Sequence, residues 1–203
     1  MKNIESYLAG LITGDGHIDT KTNKITITTK NSKFKDVIYV LLKKLKFKPT
    51  ITFDVSGGKV WRVSLYSNKF KMKLINKYNL GKGNKTPQIK YPTPPKTNTI
   101  EFLSGLYDAE GWFEIDKNKY YRIRFKIKNK PIADFVRKEL NRHNFRPTSH
   151  RKTEGSYVVD INKQKDVAKF MRTFVLLHPK WLKVTFSIGG RPGYPRLHAA
   201  RNG

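Results

Sequence analysis

Cysteine is absent from the 203 residues. That removes disulfides and thiolate metal sites such as zinc fingers, and it fits a reducing compartment or a hot one. No run approaches the roughly 18 consecutive apolar residues that span a bilayer. The first seven residues lack the basic-then-apolar layout of a secretory signal, and neither a basic amphipathic helix nor a lipidation signal is found. An intracellular chain without a membrane partner is expected, in cytoplasm or nucleoid, with an organelle as the alternative. Acid is scarce: 15 Asp and Glu face 42 Lys and Arg, for a formal charge of +27. Such an excess opposes folding by self-repulsion, and its usual reason is a polyanionic partner, with nucleic acid the leading candidate. The five histidines show no metal-ligand spacing. Motifs for Ser-His-Asp chemistry or a phosphate-binding glycine loop are missing as well.

Apolar residues make up 37% of the chain, with 12 Phe, 10 Tyr and 3 Trp, which is enough for a core. The length fits one large domain or two of about 100 residues each. An internal repeat selects the second. Leu8-Ala9-Gly10-Leu11-Ile12-Thr13-Gly14-Asp15-Gly16 matches Leu103-Ser104-Gly105-Leu106-Tyr107-Asp108-Ala109-Glu110-Gly111 at an offset of 95. Lys30-Asn31 matches Lys128-Asn129, and Phe47-Lys48-Pro49-Thr50 matches Phe145-Arg146-Pro147-Thr148, both at 98. Trp61-Arg62-Val63-Ser64-Leu65 matches Tyr157-Val158-Val159-Asp160-Ile161 at 96. Four matches in the same order, with a drift that loops absorb, mark a duplication.

Each unit carries the same pattern. A short helix opens it (residues 4–14 and 99–109). A strand follows, then a second strand with period-two alternation near residues 24–30 and 122–128. A helix then presents Phe34, Val37, Ile38, Leu41, Leu42 and Leu45, or Ile132, Phe135, Val136 and Leu140. Pro49 and Pro147 mark the ends of these helices. Two strands follow (51–55 and 60–66, with a turn at 56–58), and a last helix starts near Asn68 or Lys165. Each unit is therefore αββαββα, and the fold class is α+β with antiparallel sheets covered by helices on one face. The expected boundaries are a first repeat at 1–80, a Gly- and Pro-rich linker at 81–98, a second repeat at 99–188 and a basic flexible tail at 189–203.

Gly10 and Gly14 share one helix face, and Gly105 and Ala109 repeat that spacing. Small residues at this spacing let two helix backbones approach closely. If the two helices pack on this face, Asp15 and Glu110 arrive side by side. Paired carboxylates repel, and a hard divalent cation with oxygen ligands, such as magnesium, removes the conflict. The plainer reading, turn acids at helix ends, does not explain why both copies keep a carboxylate where the helix dipole disfavours one.

Residues 8–16 resemble the LAGLIDADG motif almost letter for letter, and residues 103–111 resemble a second copy. The chain is identified by this resemblance with the single-chain, two-repeat LAGLIDADG homing endonucleases. The resemblance implies a monomer whose two sheets form a saddle on double-stranded DNA, with the motif helices at the central interface. It implies divalent metal held by the last acid of each motif, Asp15 and Glu110, with Gly14 and Ala109 beside them. Mg2+ is the expected ion, Mn2+ substitutes, and Ca2+ binds without supporting cleavage. A staggered cut of both strands with 3′ overhangs follows. A Gln-Lys pair often ends the second strand in relatives; here the matching pairs are Thr29-Lys30 and Ile127-Lys128, so only the lysines carry over. Lys85 and Lys183 are candidates for a further basic residue near the site. A cation there can stabilise charge that grows on the phosphate or orient the attacking water. The alternative function is a non-cleaving binder, either an intron-splicing maturase with intron RNA as partner or a DNA-binding regulator.

Alternation defines a candidate DNA surface. Lys24, Thr26, Thr28 and Lys30 point one way along the second strand, and Arg122, Arg124, Lys126 and Lys128 repeat them. Arg62, Ser64 and Tyr66, with Asp160 and Asn162, extend the same face. Two strands fit a major groove, and a mixture of basic, neutral and acidic groups suits base reading rather than phosphate holding alone. Asp19 and Glu114 also match at offset 95 and are expected on the first strands.

Overall fold

The computed structural model describes residues 1–56, 58–81, 91–115, 120–152 and 154–182. Two four-stranded antiparallel sheets are each flanked by helices. The first half comprises α1 (Ile4–Asp15), β1 (Gly16–Ile18), β2 (Lys24–Thr29), α2 (Ser32–Lys44), β3 (Thr50–Asp54), β4 (Val60–Tyr66) and α3 (Asn68–Tyr78). The second comprises α4 (Thr99–Glu110), β5 (Gly111–Ile115), β6 (Tyr121–Ile127), α5 (Lys130–Arg142), β7 (Thr148–Arg151), β8 (Tyr157–Ile161) and α6 (Gln164–Thr173). The strand orders β1-β2-β4-β3 and β5-β6-β8-β7 are the same order twice, so the predicted αββαββα unit and its duplication are what the chain forms.

Local chemistry sets the boundaries. The Asn3, Asn31, Ser67 and Asn129 side chains accept hydrogen bonds from Ser6, Phe34, Phe70 and Ile132 N–H respectively, capping α1, α2, α3 and α5. α2 and α5 end before the prolines expected to stop them. Lys46 and Asn144 adopt left-handed conformations (φ 64° and 59°), and Phe47 N and Phe145 N donate back to Leu42 O and Leu140 O at 3.1 and 2.9 Å. Along β2, Ile25, Ile27 and Thr29 are buried on the helix side. Both halves share one apolar cluster.

α1 and α4 occupy its centre. Every residue from 6 to 13 and from 102 to 108 is buried, as expected of a helix surrounded by protein. Each runs one residue beyond the predicted end, so Asp15 and Glu110 are the last helical residues. After α6 the chain crosses back as residues 174–182, closing with a 3-10 turn at Pro179–Trp181 that the alternation did not announce. In the linker region, residues 91–95 have no regular structure and a 3-10 turn at Lys96–Asn98 leads into α4. Among the described residues no helix is long and apolar enough to cross a membrane.

Candidate functional site

Glycine determines how closely α1 and α4 approach. A Cβ placed on Gly10 would lie 1.9 Å from Phe102 O, and one on Gly105 would lie 1.9 Å from Tyr7 O. The two contacts are reciprocal, as a pseudo-two-fold axis requires. Farther along, a Cβ on Gly14 would lie 2.3 Å from Ala109 Cβ and 3.0 Å from Glu110 Cγ. Gly14 and Ala109 therefore meet, and the helix ends carrying Asp15 and Glu110 meet with them. Gly16 and Gly111 turn directly into β1 and β5 with extended backbones (φ −96° and −91°). Glycine is needed there for space: a Cβ would lie 2.5 Å from Ile12 Cα or 2.7 Å from Tyr107 O.

Asp15 and Glu110 are half-buried at this junction. Among the described residues no group of three or more His, Cys, Asp or Glu gathers as a metal site. Two carboxylates flanked by backbone carbonyls suit magnesium, which keeps several waters and shares its shell with phosphate. The donor set fits that ion.

One residue near the acids escaped the sequence reading. Lys180, in the 3-10 turn, donates from Nζ to Asp108 O at 2.7 Å and to Ala109 O at 3.4 Å. Burial lowers its pKa, and the carboxylates of Asp108, Asp15 and Glu110 oppose that change. A cation on the last carbonyls of α4 also answers the helix dipole that disfavours the two acids. Asp108, fully buried, accepts from Tyr7 OH at 2.5 Å and Leu177 N at 2.7 Å, tying α1, α4 and the 174–182 segment together. Its burial raises the carboxyl to about 6. The basic candidates Lys85 and Lys183 lie outside the described residues.

Lys30 and Lys128 are exposed, one residue beyond β2 and β6. The register places them at the acid end of each sheet. Gly16, directly after Asp15, pairs with Ile27, and Gly111, directly after Glu110, pairs with Phe125. β2 and β6 therefore run past the acids before releasing the lysines. Thr29 is buried, and its hydroxyl accepts from Asn31 N at 3.1 Å.

On the outer sheet faces, Thr28 pairs with Arg62, Thr26 with Ser64 and Lys24 with Tyr66 across β2 and β4. Arg62 forms an ion pair with Asp54, and Tyr66 is exposed. Arg122 pairs with Glu114 in register, Lys126 forms an ion pair with Glu154, and Asn162 donates to Thr148 Oγ1 at 3.2 Å. Three residues depart from the open, available face that alternation predicts. Ser64 and Asp160 are each only 5% exposed, and Arg124 is largely engaged by carboxylates. The reason is cross-strand pairing: Ser64 Oγ bonds Thr26 Oγ1 at 3.0 Å, and Asp160 receives Arg124. Asp19 is also displaced from its expected strand. It follows β1, where its carboxylate accepts from Lys21 N and Thr22 N, while Glu114 is within β5.

Comparison with known proteins agrees with this architecture. The family described as LAGLIDADG-like domain matches residues 3–78 and again 98–174. A Schizosaccharomyces pombe protein named as an uncharacterized cox1 intron-2 37.2 kDa protein is 26% identical over 87% of this chain and 61% of its own length. This chain thus spans less than two thirds of that relative. Mesophilic variants of the homing endonuclease I-DmoI superpose with a TM-score of 0.60 at 28% identity, covering 84% of this chain and 94% of theirs. I-DmoI in complex with DNA and Mn gives 0.59 at 29% identity, over 86% and 97%. The N-terminal LAGLIDADG domain of DUF199/WhiA shares the fold, with a TM-score of 0.59 at 17% identity over 86% and 83%. Two motif helices joined at their glycines, two sheets of one topology and two family matches in tandem have one meaning: the chain belongs to the LAGLIDADG family, in its single-chain, two-repeat form.

Proposed function

We propose that this chain is a divalent-metal-dependent endonuclease that hydrolyses both strands of a long double-stranded DNA site and leaves 3′ overhangs. The observation that carries this reading is the meeting of Asp15 and Glu110 at the joined ends of α1 and α4. Their side chains, with the Gly14 and Ala109 carbonyls beside them, would hold the ion. When bound, a divalent ion supplies Lewis-acid stabilisation of phosphate oxygens and a bound water of lowered pKa. Lys30 and Lys128 would orient attacking water or meet the charge that grows on the scissile phosphate. The outer faces of both sheets would lie along the major grooves, with Lys24, Thr26, Thr28, Arg62 and Tyr66 in one half and Arg122, Lys126 and Asn162 in the other. The I-DmoI structures with DNA, together with Mn, Ca or Mg, support DNA as partner and a divalent ion at the site; in this reading Mg2+ is the working ion, Mn2+ would substitute, and Ca2+ would hold the complex uncut.

Both repeats are in one chain, so a monomer supplies both acids and can take an asymmetric target. The matched spans also support repeats at 1–80 and 99–188. The cox1 intron relative favours an intron-borne origin with action in an organelle, and it favours one second reading, an intron-splicing maturase that binds RNA. Incubation of the full chain with the uninterrupted insertion-site duplex, in Mg2+, Ca2+ or EDTA, separates the two. Double-strand cutting in Mg2+ alone is expected; tight binding of the intron transcript without cutting in any metal would make the maturase the better description.

A further inference from the structure

The two sheets agree in register but not in chemistry at one cross-strand position. In the first sheet Thr26 and Ser64 face each other and share a hydrogen bond of 3.0 Å. The matching pair in the second sheet is Arg124 and Asp160. Arg124 Nε donates to Asp160 Oδ1 at 2.9 Å and Nη2 to Asp160 Oδ2 at 3.2 Å, a parallel fork. Nη1 donates to Glu114 Oε2 at 2.7 Å. Trp112, the register partner of Arg124 on β5, holds its ring 5.7 Å from the guanidinium carbon. His150 closes the group, with Nδ1 3.9 Å from Asp160 Oδ2. One hydroxyl pair has thus become a charged cluster drawn from β5, β6, β7 and β8.

Three of the five guanidinium N–H groups are committed, which leaves one on Nη1 and one on Nη2. A bidentate contact to guanine O6 and N7 takes two such donors. The Arg124 side chain retains 17% exposure on the outer face, whereas Asp160 retains 7%. Asp160 therefore lies behind the arginine, while Glu114, at 37% exposure, flanks it at the surface. A surface meant only to hold phosphates gains nothing from two acids. Acids that fix an arginine remove the rotamer freedom it would otherwise lose on binding.

We propose that Arg124 reads a guanine in the half-site under the second repeat, with Asp160 and Glu114 as its positioning residues. This rests on the outer sheet face meeting DNA, as proposed above. The first repeat offers only a neutral hydroxyl pair at the equivalent place, so the cluster also tells the enzyme which half of an asymmetric site each repeat takes.

The test measures binding of the full chain, in Ca2+, to duplexes carrying every single-base-pair change of the insertion site. The wild type prefers guanine at one position in one half-site by about 10-fold or more. Arg124→Lys erases that preference and leaves the others in place, because an ammonium cannot reproduce the fork. Glu114→Gln and Asp160→Asn weaken it several-fold at that position, with thermal melts confirming the fold. If Asp160→Asn unfolds, Glu114→Gln and Arg124→Lys decide. An unchanged profile in Arg124→Lys, or an equal loss on every duplex, overturns the proposal by making Arg124 structural or a phosphate contact. A wild type without preference at any position contradicts the DNA reading itself, and this proposal with it.

Discussion

Lys180 is the residue on which local electrostatics at the two acids turns. Its ammonium bonds the Asp108 and Ala109 carbonyls and sits in the field of Asp15 and Glu110. It therefore tempers a site that would otherwise be more strongly negative. Replacing it with methionine removes that charge from beside the carboxylates. Lys180→Met is expected to lower the magnesium concentration at half-maximal rate while slowing single-turnover cleavage about 100-fold. A metal titration at fixed DNA reads both; an unchanged rate would assign Lys180 a purely structural part. The acids themselves were legible in the sequence, since a carboxylate recurs at the same place in two matching nine-residue segments. Lys180 was not, because the 174–182 segment carries it back to α4, and no periodicity signals a chain crossing of that kind. Ser64, Arg124 and Asp160 are less open than alternation predicts for a related reason. Alternation says which face a side chain takes, but only the β6–β8 register says that Arg124 and Asp160 stand opposite each other and satisfy one another.

Among elements, the α1–α4 pair decides whether a site exists. The i, i+4 glycine pattern announced close helices, and the reciprocal 1.9 Å approaches show that backbone, not side chain, blocks any larger residue. Gly105→Ala gains about 1 kcal/mol of helix propensity, yet it forces two backbones apart at the centre of the core. A net loss of about 3 kcal/mol is expected by denaturant titration; a stabilised variant would show that the helices can slide without cost. α1 is also tied to α3. Glu5 forms an ion pair with Lys73, accepts from Lys77 Nζ at 3.2 Å and accepts from Tyr78 OH at 3.1 Å. Burial pushes its carboxyl up, and the two lysines together pull it further down, so the net pKa is lowered. A lowered folded-state pKa gives stability that is present above the unfolded value, about 4.3, and lost as pH falls through the folded one. Glu5→Gln should therefore cost about 0.5–1 kcal/mol near pH 7. That gap should narrow as the pH falls below the usual carboxylate range, and a gap independent of pH would refute the ion-pair account. The left-handed stops at Lys46 and Asn144 were not legible, because neither is glycine and prolines nearby gave a stronger but later signal.

For the whole molecule, charge and symmetry act together. A formal charge of +27 on a chain with two similar sheet faces gives an electrostatic footprint far larger than one groove contact. If six to ten phosphates are neutralised, affinity for the duplex should fall about 10³- to 10⁵-fold between 50 and 200 mM salt. A filter-binding series in Ca2+ measures the slope, and a flat response would deny that the basic excess serves a polyanion. Duplication allows the halves to diverge under one topology. Asp15 differs from Glu110, and Thr26–Ser64 differs from Arg124–Asp160. The fold was legible at this scale because two copies of a pattern constrain each other. The base sequence recognised was not, because it depends on rotamers and pairings set only after the sheets form.

The central claim is that Asp15 and Glu110 together support cutting of both strands. The most direct test runs the wild type, Asp15→Asn and Glu110→Gln side by side on the insertion-site duplex in Mg2+, with binding measured in Ca2+. The account predicts double-strand cleavage by the wild type, loss of that cleavage in each variant, and binding within a few-fold of wild type throughout. Undiminished double-strand cutting by either variant would contradict it.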